Sequence, residues 1–355
     1  MGPALCYNAA MEESAGNWGV IGHTWAVRLL ARSLARGKLS HAYLFLGPPH
    51  IGKATLALAL ARAINCTGQA VPCGECRSCR LIARGCHPDV HVVEGTGART
   101  IHIEQVRELQ RQLILSPVEA RHRVVILTNV QGATPEAANC LLKTLEEPPA
   151  GVVLILTATS VAQVLPTVVS RCQLFWLRPP AGETIARGLE AHFGVDAAQA
   201  ASIARLAAGR VGWAVEAAHG GEALLSQRQT HLARLREVLA ADTLGRLRLA
   251  RDLSSDTDAL PALLDLWSGW WRDLLLYRAG CSEWICNVDQ QAALEQAARH
   301  YDVADALASL RALGEARRRL ELNANPRLTL EVLFLALGRE LPAVSSLLPR
   351  RHAEG

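Results

Sequence analysis

Gly47-Pro48-Pro49-His50-Ile51-Gly52-Lys53-Ala54-Thr55 has the residue types and spacing to hold a phosphate. Two glycines separated by four residues, then a lysine, let backbone N–H groups converge on phosphate oxygens while the lysine adds a point charge. The position after the lysine ordinarily supplies the Ser or Thr hydroxyl that holds Mg²⁺. Here it is Ala54, and Thr55 comes one residue late. Hydrolysis at such a loop also needs an apolar strand ending in Asp, to hold the metal, and then Glu, to polarise the attacking water. The candidate strand Val124-Val125-Ile126-Leu127 runs into Thr128 and Asn129 instead. Three positions that serve one metal and one water are lost together. The expectation is a degenerate cradle, built from Gly47, Gly52, Lys53, Ala54 and Thr55, that does not hydrolyse nucleotide and leaves weak binding of ATP or ADP open.

A second constellation is Cys66, Cys73, Cys76 and Cys79. Four thiolates in so short a span suit a tetrahedral structural Zn²⁺, with no ligand position left open for water. Cys86 and His87 lie close enough in sequence to replace one of the four. A third is Ser170-Arg171-Cys172. An arginine at this place in a phosphate-binding fold that oligomerises can face a neighbour's γ-phosphate, and in GTPases such a finger supplied in trans gives about 10³- to 10⁵-fold in rate.

These residues need a frame. The run 41–46 reads as a buried strand feeding the glycine loop, and 56–64 as the helix after it. Further buried strands are expected at 89–93, 123–128, 151–157 and 174–177, with helices at 24–36, 103–113 and 135–146. Thr134 followed by Pro135 marks the start of the last of these, and Pro148 follows its end. The segment 161–169 reads as a loop. Strands alternating with helices imply a parallel sheet covered on both faces. After Pro179-Pro180 only helical patterns follow, at 183–193, 197–208, 211–218, 222–241, 244–254, 257–278, 288–299, 302–322 and 326–339. Trp267, Trp270 and Trp271 read as core, and Arg317-Arg318-Arg319 as a solvated or intersubunit face. Residues 1–16 and 342–355 read as disordered.

A chain of 355 residues with 50% hydrophobic and 20% charged residues has ample material for two or three cores. A net charge of +4 is too small for a protein that coats nucleic acid. No run reaches the roughly 18–20 apolar residues of a membrane span, and no secretory signal is legible, so a cytoplasmic protein is expected. In that setting the ten cysteines are not read as disulfides.

The sequence resembles the clamp-loader family of AAA+ proteins from bacterial DNA polymerase III. The resemblance is carried by Val20-Ile21-Gly22, by His41-Ala42-Tyr43-Leu44-Phe45 with the P-loop, and by the four cysteines with His87-Pro88-Asp89. It continues through Ala137-Ala138-Asn139-Cys140-Leu141-Leu142-Lys143-Thr144-Leu145-Glu146-Glu147-Pro148-Pro149, Ser170-Arg171-Cys172 and Asn325-Pro326-Arg327-Leu328-Thr329-Leu330-Glu331. The clear match covers about residues 17–178. The resemblance implies an α/β AAA+ P-loop domain at 17–178 with a zinc module at 66–79. A helical lid at 179–219 and an all-α collar at 220–341 would follow. It implies a five-subunit ring with gamma/tau-type and delta-type neighbours, acting on a sliding clamp and primed DNA, with Arg171 presented to a neighbour's nucleotide. Motor subunits of the family carry a lid arginine where this chain has Gly212, with Arg210 out of register. The losses at 54, 128, 129 and 212 therefore point to a stiff, non-hydrolysing member without catalytic activity of its own. An active ATPase motor of the same family is the alternative, and a non-replicative zinc and P-loop scaffold is a second.

Overall fold

The structure, a computed structural model, describes residues 18–95, 100–114, 117–322 and 324–338. The expectations for 1–16 and 342–355 lie outside the described residues. The chain forms two compact units that part between Val215 and Glu216.

The first unit runs α1 (Thr24–Ala35), β1 (Ala42–Leu46), α2 (Lys53–Asn65), α3 (Arg77–Ala83), β2 (Val90–Val93), α4 (Ile103–Ile114), β3 (Arg123–Leu127), α5 (Pro135–Glu146), β4 (Val152–Ala158), α6 (Pro166–Val169), β5 (Gln173–Trp176), α7 (Gly182–Phe193), α8 (Ala197–Ala207) and the first turn of α9 (Val211–Ala218), the helix in which the two units part. The five strands form one parallel sheet in the order β2-β3-β4-β1-β5. β1, β3 and β4 are buried along their whole length, as strands covered on both faces must be. Strand alternation sends Tyr43, Phe45, Val124, Ile126, Val153 and Ile155 to the side of α1 and α2. Leu44, Leu46, Val125, Leu127, Leu154 and Leu156 go to the side of α4 and α5. α5 starts where its cap predicts: the Thr134 hydroxyl accepts the Ala137 N–H at 3.2 Å, with Pro135 in the first turn.

Two short helices were not legible. The cysteine-rich stretch contains α3, opened by Cys76, whose sulfur accepts the Cys79 N–H. The segment expected as a loop at 161–169 holds a 3₁₀ turn and then α6, opened by Pro166. Both helices are too short for apolar periodicity to reveal them.

Asp89 braces this unit beside the cysteines. Its buried carboxylate accepts the N–H groups of Val118, Glu119 and Ala120 at 2.8–3.0 Å and pairs with the buried Arg123 guanidinium at 3.1 Å. A buried carboxylate so fully hydrogen-bonded fixes both segments.

The second unit contains α10 (Glu222–Ala240), α11 (Thr243–Leu253), α12 (Leu260–Arg278), α13 (Gln291–Ala297), α14 (Val303–Glu321) and α15 (Pro326–Ala336). Trp267 and Trp271 are fully buried among leucines and Phe334, as expected of core, and the Trp267 indole donates to His231 O at 2.9 Å. α13 begins later than expected because the chain before it is held as 3₁₀ turn and loop. There the fully buried Asp273 accepts the N–H groups of Cys286 and Asn287 at 3.0 and 2.7 Å. Arg246 on α11 reaches the end of α15, donating to Phe334 O at 2.6 Å and Leu337 O at 2.9 Å. Arg317, Arg318 and Arg319 are all ion-paired, to Asp265, Glu321 and Glu315. Among the described residues no helix is long and apolar enough to cross a membrane.

Candidate functional site

The glycine loop leaves the C-terminal end of β1 and enters α2. A Cβ at Gly47 would lie 2.5 Å from both Leu177 O and Ile51 Cδ1, so only glycine fits. Gly52 stands at the mouth of α2 with φ 98°, and no side chain caps that helix, so no cap takes up its first N–H groups, as an anion site requires. Lys53 is turned inward. It is 7% exposed, and its Nζ donates to Gly47 O at 2.6 Å and Pro48 O at 2.7 Å. Burial lowers its pKa to about 8. Ala54 and Thr55 are both exposed.

Two braces on this loop escaped the sequence reading. His23 Nε2 lies 2.7 Å from Ile51 O, which can only accept, so the ring carries its proton on Nε2. Burial lowers the His23 pKa. The Gly212 N–H donates to His50 O at 2.7 Å. A Cβ at Gly212 would meet that oxygen at 3.4 Å, an ordinary contact. Arg210 donates instead to Ala207 O at 3.0 Å and lies over the Trp213 ring. Position 212 was singled out as a missing arginine, but the signal that its backbone clasps the loop exists only in three dimensions.

Beside the loop, β3 delivers no carboxylate. Thr128 is 8% exposed, and its N–H donates to Val93 O at 3.0 Å. Asn129 takes a left-handed conformation, its N–H on Thr157 Oγ1 at 3.0 Å. Neither side chain of the pair carries a charge.

Ser170 and Arg171 follow α6 directly. Arg171 Nη1 donates to Thr167 O at 3.0 Å and to Ser170 Oγ at 3.3 Å, while Nη2 pairs with Glu146 Oε1, at the end of α5, at 2.7 Å. Both side chains of that pair reach solvent, at 35% and 49% exposure. Cys172 is half-buried, and burial pushes its thiol up to about 12.

The four cysteines come together as their spacing predicts. Cys66 ends α2, Cys76 caps α3, and the four sulfurs lie within 4.8 Å of one another. Neither Cys86 nor His87 joins them: the Cys86 thiol points to Arg84 O, and His87 Nδ1 accepts the Asp89 N–H. The donor set fits a thiophilic cation. Backbone N–H groups of Gly68 and Cys73 point at Cys66 Sγ, both at 3.3 Å, and those of Cys76 and Cys79 at the sulfurs of Cys73 and Cys76. Burial works against ionisation of Cys76, but N–H donors from Thr67 and Cys79 outweigh it and hold the thiol at about 6. Burial pushes Cys79 up to about 12, so it ionises at neutral pH only against a cation. Gly68 is required here, since a Cβ would lie 2.8 Å from Cys73 Sγ.

Comparison with known proteins bears on the same elements. A family model described as DNA polymerase III, delta subunit, matches residues 22–181. A second, for the C-terminal part of that subunit, matches residues 222–338. The DNA polymerase III subunit delta' of Bacillus subtilis is 38% identical over 154 residues, which are 43% of this chain and 46% of that protein. The subunit gamma of Buchnera aphidicola is 35% identical over 173 residues, 48% of this chain and 47% of that protein. The aligned part thus spans about half the length of these relatives. A gamma subunit-related protein of Thermotoga maritima aligns over 88% of this chain and 99% of its own, at 20% identity and a TM-score of 0.41, which is too low to add to the comparison. The two family models together take in more than half of the chain, which folds as a five-stranded parallel sheet followed by helices and belongs to the DNA polymerase III delta-subunit family.

Proposed function

We propose that this chain is a non-hydrolysing, stator-like subunit of the bacterial DNA polymerase III clamp loader, of the delta-prime kind. In this reading it works in the cytoplasm in a five-membered ring with gamma/tau-type and delta-type subunits. The ring loads a sliding clamp onto primed DNA, and this chain lends Arg171 to a neighbour's nucleotide. The sheet domain at 17–178 carries the loop, the lid at 179–219 covers it, and the collar at 220–341 joins the ring.

One observation carries the proposal: the phosphate loop is fully built, yet the side chains beside it supply neither Mg²⁺ ligand nor base. Ala54, Thr128 and Asn129 stand at the three positions where the hydroxyl and two carboxylates belong. The Gly212 clasp on His50 supports the stiff-member reading, since the lid helix is docked without an arginine reaching for nucleotide. Zn²⁺ in the set Cys66, Cys73, Cys76 and Cys79 would cross-link the end of α2 to α3 and supply no catalysis. A gamma/tau-type motor is the second reading, because a gamma subunit matches at nearly the same identity as delta'.

Magnesium-dependent ATP turnover by the purified chain separates the two. The proposal expects none, and expects Lys53→Ala to change nothing in that assay. Turnover abolished by Lys53→Ala would make this chain a motor.

A further inference from the structure

We infer that Glu146 is the positioning residue for Arg171, holding its guanidinium for a neighbour's phosphate; the inference rests on the trans-acting role proposed above for Arg171. Two hydrogen-bond acceptors and one ion pair hold the guanidinium. Nη1 is committed to Thr167 O and Ser170 Oγ on the same turn, and Nη2 to the Glu146 carboxylate at 2.7 Å. Among the described residues Nε–H has no acceptor, which leaves one edge of the fork for an incoming anion.

Glu146 is unusually placed for a carboxylate. It is the last residue of α5, where the helix presents its negative end and a carboxylate is disfavoured unless a cation sits beside it. Arg171 is that cation, brought there by a different element, α6. The pair joins two segments distant in sequence through one exposed contact. Contacts of this kind contribute little to folding, so loss of the pair leaves the fold intact and its effect is read in function. Arginine carries considerable rotamer entropy, and a guanidinium already ordered by Glu146 loses less of it on meeting a phosphate. Glu146 itself is not placed against the nucleotide. It acts through Arg171 alone.

The test is a double-mutant cycle in the loader reconstituted from full-length subunits with a gamma/tau-type neighbour, clamp and primed DNA. The readouts are kcat and KM for ATP, with a thermal melt of each variant. Arg171→Ala is expected to lower turnover at the neighbouring site at least tenfold. Glu146→Ala should lower kcat about fivefold with KM unchanged, and Glu146→Asp should restore most of it. In the Arg171→Ala background, Glu146→Ala should do nothing further. No effect of Arg171→Ala overturns the arginine reading and this inference with it. Impairment by Arg171→Ala with an inert Glu146→Ala overturns only the positioning role. So does a Glu146→Ala effect of equal size in both backgrounds, or one that raises kcat.

Discussion

The two ends of α2 differ in what they retain. At its N-terminus the chain keeps the glycines and lysine of the proposed phosphate cradle, with Ala54 at the position where a hydroxyl would hold a metal. At its C-terminus Cys66 belongs to a complete set of four cysteines that could hold a metal ion. The difference lies in what each site is made from. A cradle is built of backbone N–H groups and needs only glycines and the start of a helix, so it survives the loss of its chemistry. A closed metal site is built of side chains alone and needs all four of them to bind.

Removing a ligand from the complete end should have the largest effect. Cys79→Ser, at a fully buried position, should reduce bound zinc from one per chain to none and lower the melting temperature of the first unit by about 10 °C. Metal retained at full occupancy would break the comparison. Next comes the brace beside that end. Asp89→Asn leaves the buried Arg123 uncompensated and should cost about 3 kcal/mol in a denaturant melt. Burial alone would raise the Asp89 pKa, but the N–H groups of Glu119, Val118 and Ala120 and the Arg123 guanidinium outweigh it and hold the carboxyl at about 2. The folded value lies below the unfolded one, near 4, so this stabilisation is complete above about pH 4 and fades as pH falls toward 2. The gap between wild type and Asp89→Asn should close over that window; a constant gap would mean that shape, not charge, is what Asp89 supplies.

Restoring the incomplete end gives a smaller and opposite effect. Ala54→Ser with Thr128→Asp and Asn129→Glu should make ATP binding magnesium-dependent and raise affinity about tenfold, measured calorimetrically with and without EDTA. No gain would place the remaining obstacle in the loop itself, where Lys53 is held by Gly47 O and Pro48 O. The smallest effect is expected of Thr55→Ala, an exposed change that should leave stability within about 0.5 kcal/mol and ATP affinity unaltered. Weaker magnesium-dependent binding would instead identify Thr55 as the displaced metal ligand.

Much of this molecule was legible in its sequence because long, strongly patterned elements advertise themselves. The β-branched run at 123–127 and the capped helix at 135–146 lie where their residues say. The cysteine spacing proposed the four sulfurs that come together, and only the fold separates them from Cys86 and His87. What was hidden was short or tertiary. α3 and α6 are too brief for periodicity. His23 and Gly212 meet the phosphate loop only because distant segments fold over it. Glu146 is one acidic residue among several in a helical run, and nothing local shows that a residue twenty-five positions later pairs with it.

The reach of Arg246 to the carbonyls of Phe334 and Leu337 has a consequence for how the second unit is made. A guanidinium buried in that core needs acceptors, and its shortest bonds are to carbonyls that lie some ninety residues downstream. As the chain emerges from a ribosome, α11 can form early but cannot settle until α15 has followed it. The core of the second unit is therefore complete only once α15 has been made, and until then the apolar faces of its earlier helices stay uncovered.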